Sequence, residues 1–76
     1  MTLETKVLAA IMETIDHIVK NGDTSIGFYN LSAIVNTRGL SFANANHRMR
    51  TIETAVQNLS PTYQARIDDS PRKEVL

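Results

Sequence analysis

A polar face along residues 41–59 holds the side chains of this sequence that are best suited to hydrogen-bond chemistry. Its members are Ser41, Asn44, His47, Arg48, Arg50 and Thr51. Arginine makes paired hydrogen bonds to guanine, asparagine makes them to adenine, and serine or threonine reaches phosphates or bases. This set could therefore recognise double-stranded DNA through the major groove. The alternative is a solvated helix face that contacts no ligand.

Other kinds of chemistry have little support in the sequence. The two histidines, His17 and His47, have no cysteine beside them and fall short of a zinc site. Three isolated glycines form no phosphate-binding loop, and no nucleophile lies in a recognisable catalytic context. The carboxylates of Asp68 and Asp69 fall in a predicted turn, where solvation is expected. We predict a protein that is not an enzyme and that uses no metal or cofactor.

Composition predicts one small globular domain over residues 1–76. The 76-residue chain is 42% hydrophobic and contains no cysteine, so no disulfide supports the fold. No apolar run approaches the ~20 residues that span a bilayer, which predicts a soluble, cytoplasmic protein without a membrane role. The net charge of zero weakens a nucleic-acid interpretation. However, residues 1–35 carry a net charge of −2 and residues 36–73 a net charge of +3.

The polar face must be positioned by a helix, because apolar residues recur behind it at steps of three or four. They are Phe42, Ala45, Met49, Ile52, Val56 and Leu59. Ser41 is predicted to cap this helix, and the Ser60–Pro61 pair to end it. A shorter helix capped by Asn30 precedes it, followed by a tight turn at residues 38–40.

The first helix is predicted over residues 3–20, with Thr2 as its N-cap and Asn21–Gly22 as its end. The pairs Glu13–His17 and Asp16–Lys20 have the spacing of helix-stabilising ion pairs. Residues 24–29 follow as a brief extended segment that pairs with something later in the chain.

A β-hairpin is predicted over residues 63–76. Tyr63, Ala65 and Ile67 alternate with polar residues, 69–71 read as a turn, and 72–76 can return as a second strand. Its basic side chains could lie along a phosphate backbone, and the alternative is an ordinary charged surface hairpin. These side chains are Arg66, Arg72 and Lys73.

The order helix, short strand, helix, tight turn, long helix, hairpin resembles the winged helix-turn-helix DNA-binding fold. The resemblance covers roughly residues 3–76 and rests on residues 31–41, the helix after them and the hairpin. It implies a mainly helical α+β fold of three helices with a C-terminal β-hairpin. It also implies a transcriptional regulator whose helix 41–59 enters the major groove, with Arg38 in the turn joining the DNA-contacting set. Val35 and Arg38 depart from the residue types usual at their positions.

Two further partners follow from the sequence. The apolar stripe of the first helix is widened by Leu8, Met12 and Val19, which favours a homodimer through residues 3–20 over simple coverage of the core. A rival to DNA binding is a protein-binding adaptor or inhibitor, of a phage or plasmid type, with the same fold. Neutral charge and few lysines favour this rival.

Overall fold

The computed structural model describes residues 2–69, and its longest element is helix α1, Leu3–Lys20. The Thr2 hydroxyl caps α1 by accepting a 3.2 Å hydrogen bond from the Thr5 amide. The helix ends at Asn21, after which Gly22 adopts a φ of 97° that an L side chain rarely tolerates. The bounds, the cap and the glycine end predicted for this helix are all confirmed, because each depends on neighbouring residues.

Helix α2 spans Phe28–Asn36, and it begins earlier than the predicted cap at Asn30. That prediction was wrong: Gly27 holds the N-cap position, without a side-chain hydrogen bond, and Asn30 lies inside the helix. The reason is packing. Starting at residue 28 places the Phe28 ring on the same buried stripe as Leu31 and Val35, which lie three and seven residues further on.

Helix α3 spans Ala45–Gln57, so it is shorter at both ends than the predicted 41–59. Asn44 is its N-cap, and the prediction of Ser41 in that role was wrong. Residues 37–44 instead form a connection in which Leu40 and Phe42 pack against the core without being helical. The connection between α2 and α3 is thus longer than the tight turn predicted at residues 38–40.

Pro61 begins a helix, although it was predicted to end one. Helix α3 closes with Asn58 as its C-cap, and helix α4, Pro61–Gln64, follows after a short break. Proline suits the first position of a helix because an amide hydrogen there would have no partner within the helix, so no hydrogen bond is lost. The long helix was predicted to run to residue 59 and stop at Ser60–Pro61, and it ends two residues earlier, at Gln57.

Two short strands, β1 (Ile26–Gly27) and β2 (Ile67–Asp68), pair in parallel with Ile26 opposite Ile67. The predicted pairing of the segment 24–29 with a later one is confirmed. The prediction of a hairpin strand beginning at residue 63 was wrong. Tyr63 and Gln64 belong to α4, and the partner of β2 is β1. The predicted return strand 72–76 lies outside the described residues.

The described chain is thus a mainly helical α+β arrangement, compatible with a helix-turn-helix-like fold. Its core lies where α1 packs against α3 and α2. Six side chains there are almost completely buried, and burial of each aliphatic one contributes about 1.5–3 kcal/mol. They are Val7, Ile11, Ile15, Leu31, Val35 and Ile52. None of the helices within residues 2–69 combines the length and apolar character needed to cross a lipid bilayer.

Candidate nucleic-acid interface

The two arginines of α3 point to different sides of the helix. Two residues along an α-helix correspond to a rotation of about 200°. Arg48 is half-buried on the side that carries the buried Ile52 and Ala55, four and seven residues later. Arg50 is exposed on the opposite side. One flat ligand on the exposed side of α3 can therefore be reached directly by Arg50 but not by Arg48.

The exposed side of α3 is formed by four residues at helical spacing, which we call the outward face. They are Asn46, Arg50, Thr54 and Gln57. Every one of these side chains can donate a hydrogen bond, and the face carries one positive charge and no carboxylate. Glu53 lies beside it and is half-buried. Within residues 2–69, no side chain of the outward face is used in a hydrogen bond or ion pair.

Thr51 does not lie on the exposed side of α3, where the sequence pattern placed it. Only 7% of the residue is exposed. Its hydroxyl donates a 2.7 Å hydrogen bond to the carbonyl oxygen of His47, one turn earlier. Such a bond satisfies a buried threonine inside its own helix, which allows a polar residue to occupy the inner side.

Asn44 and His47 make the hydrogen bonds at the N-terminus of α3. The Asn44 carboxamide oxygen accepts a 2.8 Å hydrogen bond from the His47 amide. The His47 ring nitrogen Nδ1 accepts a 3.1 Å bond from the Ala43 amide, and the ring lies edge-on to Phe42 with centroids 6.0 Å apart. Both predicted contact residues thus have structural tasks at the helix start.

Arg38 and Arg66 also bond within the chain. The Arg38 guanidinium makes a 3.1 Å ion pair with Glu13 on α1. This pair replaces the predicted Glu13–His17 contact, and His17 instead lies 3.0 Å from the Asn21 carboxamide. Arg66 donates a 3.2 Å hydrogen bond to the carbonyl oxygen of Thr24. In the absence of a ligand, the side chains of Arg38 and Arg66 therefore already contact other parts of the chain.

The remaining predicted contact residues lie apart from the outward face in chain position. Ser41 is exposed in the connection between α2 and α3. Arg72 and Lys73 lie outside the described residues. Sequence reasoning left Asn46 out of the candidate set, although its position four residues before Arg50 placed it on the same side of a helix. That spacing was the available signal.

A separate shallow cleft of about 530 Å³ opens between the end of α1, strand β1 and α2. Its apolar lining includes Ile18, Ile26 and Ile34, each half-buried, and Asp23 contributes a carboxylate. Tyr29, beside the cleft residue Asn30 in sequence, is 79% exposed. The sequence pattern did not predict this cleft, because its walls come from three separate elements.

No family model, curated protein or solved structure matches this chain.

Proposed function

We propose that this chain is a small cytoplasmic DNA-binding regulator of transcription that presents the outward face of α3 to the major groove. The observation that supports this most is the outward face itself. It is an exposed strip of hydrogen-bonding side chains with one arginine and no carboxylate, on a helix backed by buried residues. An α-helix fits the major groove, and these side-chain types hydrogen-bond to base edges.

Rigid support is a second argument for the same surface. The inner side of α3 packs on α1 through Ile52, which has no exposed surface, and through Val56. A side chain carried on such a helix keeps its direction, so that donors and acceptors can match a fixed pattern of base edges. In a winged helix-turn-helix, the basic residues Arg72 and Lys73 would add contacts to the phosphate backbone.

The test measures binding to a fluorescently labelled pool of random-sequence duplex DNA. Fluorescence anisotropy reports the affinity at several salt concentrations. We expect affinity to fall as salt rises, because bound cations displace counterions from phosphates. Arg50→Ala should weaken binding, because it removes the only cation of the outward face of α3. Lys20→Ala is the matched control, since it removes one exposed positive charge from the end of α1. Salt-independent behaviour, or equal effects of both variants, would contradict the proposal.

A homodimer would place two copies of α3 on successive half-sites of a duplex. The surface for it on α1 is smaller than the sequence suggested. Leu8 and Met12 pack against the core, and Val19 is 40% exposed. Sedimentation of the protein with and without Val19→Ser would measure whether α1 pairs.

Protein binding is the second candidate function, and the cleft with its neighbour Tyr29 favours it. Tyr29 is 79% exposed and adjoins the cleft residue Asn30 in sequence, and tyrosine is enriched among the anchor residues of protein interfaces. If the chain is an adaptor, affinity purification after nuclease treatment should recover one stoichiometric protein partner with it. Tyr29→Ser should abolish that recovery, and Arg50→Ala should leave it unchanged. Loss of all recovery after nuclease treatment would exclude this function.

A further inference from the structure

We propose that Arg50 and Asn46 determine the base preference of this protein, with Arg50 reading a guanine and Asn46 an adenine one or two base pairs away. The inference rests on the proposed DNA-binding function and assigns the specificity to two residues. It concerns direct contacts to base edges in the major groove.

The assignment follows first from which side chains are free. Five residues of the predicted contact set bond within the chain: Arg38, Asn44, His47, Thr51 and Arg66. Arg48 is half-buried on the inner side of α3. By contrast, Arg50 and Asn46 are exposed, and neither side chain has a hydrogen-bond partner within residues 2–69.

The two side chains are also close enough to read neighbouring base pairs. Residues four apart on an α-helix differ by about 40° in direction and by about 6 Å along the axis. Stacked base pairs are about 3.4 Å apart. A helix lying along the groove therefore brings Arg50 and Asn46 to base pairs that are one or two steps apart.

The side-chain chemistry then selects the bases. The guanidinium group of Arg50 offers two parallel donors, which match the O6 and N7 acceptors of guanine. The carboxamide of Asn46 offers one donor and one acceptor, which match N7 and N6 of adenine. Thymine and cytosine lack these paired patterns, so the contacts discriminate among bases as well as attract DNA.

The experiment is selection of bound duplexes from a randomised pool, followed by sequencing, with the wild type, Arg50→Ala, Asn46→Ala and Lys20→Ala. The wild-type motif should contain a guanine and an adenine within two base pairs of each other. Arg50→Ala should lose the preference at the guanine position alone, and Asn46→Ala at the adenine position alone. On the wild-type motif each should bind roughly 5- to 150-fold more weakly. Lys20→Ala should retain the whole motif.

The outcomes separate this inference from the function on which it rests. Absence of binding to any duplex in the pool overturns both. Salt-dependent binding without such a motif overturns the inference alone, and so does a motif that Arg50→Ala leaves intact. Circular dichroism of each variant confirms folding, and both substitutions are at exposed positions.

Discussion

The phenol oxygen of Tyr63 donates a 2.9 Å hydrogen bond to Oδ1 of Asp16, which joins the short helix α4 to α1 across 47 positions of the chain. Tyr63 makes this contact from helix α4, at a position where the sequence predicted a strand. The contact also raises the pKa of Tyr63 above its ordinary value. The hydrogen bond to the Asp16 carboxylate is the largest cause, followed by desolvation and the negative charge of Asp16.

The raised pKa predicts a pH dependence at alkaline pH. Because the folded state favours the protonated phenol, this contact stabilises the protein fully below the unfolded pKa of about 10 and is lost as pH rises through the higher folded pKa. Absorbance titration in a Tyr29→Phe background follows Tyr63 alone. Adding Asp16→Asn should lower the midpoint of that titration. An unchanged midpoint would contradict the contact.

Asn44 is predicted to act on stability through its cap. Asn44→Ala should lower the free energy of unfolding by about 1 kcal/mol, since the His47 amide loses its acceptor. Asn44→Asp should retain that stability, because aspartate caps equally well. Urea unfolding measures both variants. Equal loss in the two variants would mean that the capping oxygen contributes little.

Ser32 is predicted to be a site where a smaller side chain stabilises the protein. Its hydroxyl oxygen is buried and has no hydrogen-bond partner within the described part of the chain. Ser32→Ala should raise the free energy of unfolding by about 1 kcal/mol, because the desolvation cost of an unpaired hydroxyl is removed. Thr14→Val is the contrasting variant, since the Thr14 hydroxyl donates a 2.8 Å bond to the Ala10 carbonyl. It should give no such gain in urea unfolding.

Glu53 is predicted to weaken DNA binding, because its carboxylate lies beside the outward face of α3. Glu53→Gln should strengthen binding about two- to threefold at low salt, the size expected for one charge several ångströms from phosphate in water. The gain should shrink as salt is added. Glu4→Gln, in the first turn of α1, removes the same charge elsewhere and serves as the control. A gain that persists at high salt would point to a different cause.

Much of the helical structure could be predicted because it depends on neighbouring residues. In α1, the apolar spacing, the Thr2 cap and the glycine after Asn21 all agree, so the prediction held to the residue. The start of α3 was different. Ser41 and Asn44 are both good capping residues, and local preference does not choose between them. Packing of Leu40 and Phe42 on the core accompanies the choice of Asn44.

The candidate site was predictable in part. The opposite directions of Arg48 and Arg50, and the alignment of Asn46 with Arg50, both follow from 3.6 residues per turn. The internal bonds of Arg38 and Arg66 do not, because their partners lie 25 and 42 positions away in the chain. Thr51 was misplaced because a hydroxyl satisfied within its own helix can be buried.

The sequence by itself determined the amphipathic character of α1 and α3 and the polar residue types on the outer side of α3. Those features depend on composition and on the helical repeat. Only the tertiary structure decided where α3 begins, that β1 pairs with β2 in parallel, and which polar side chains remain free. Those choices depend on contacts between residues far apart in the chain, where burial and hydrogen bonding select among locally similar alternatives.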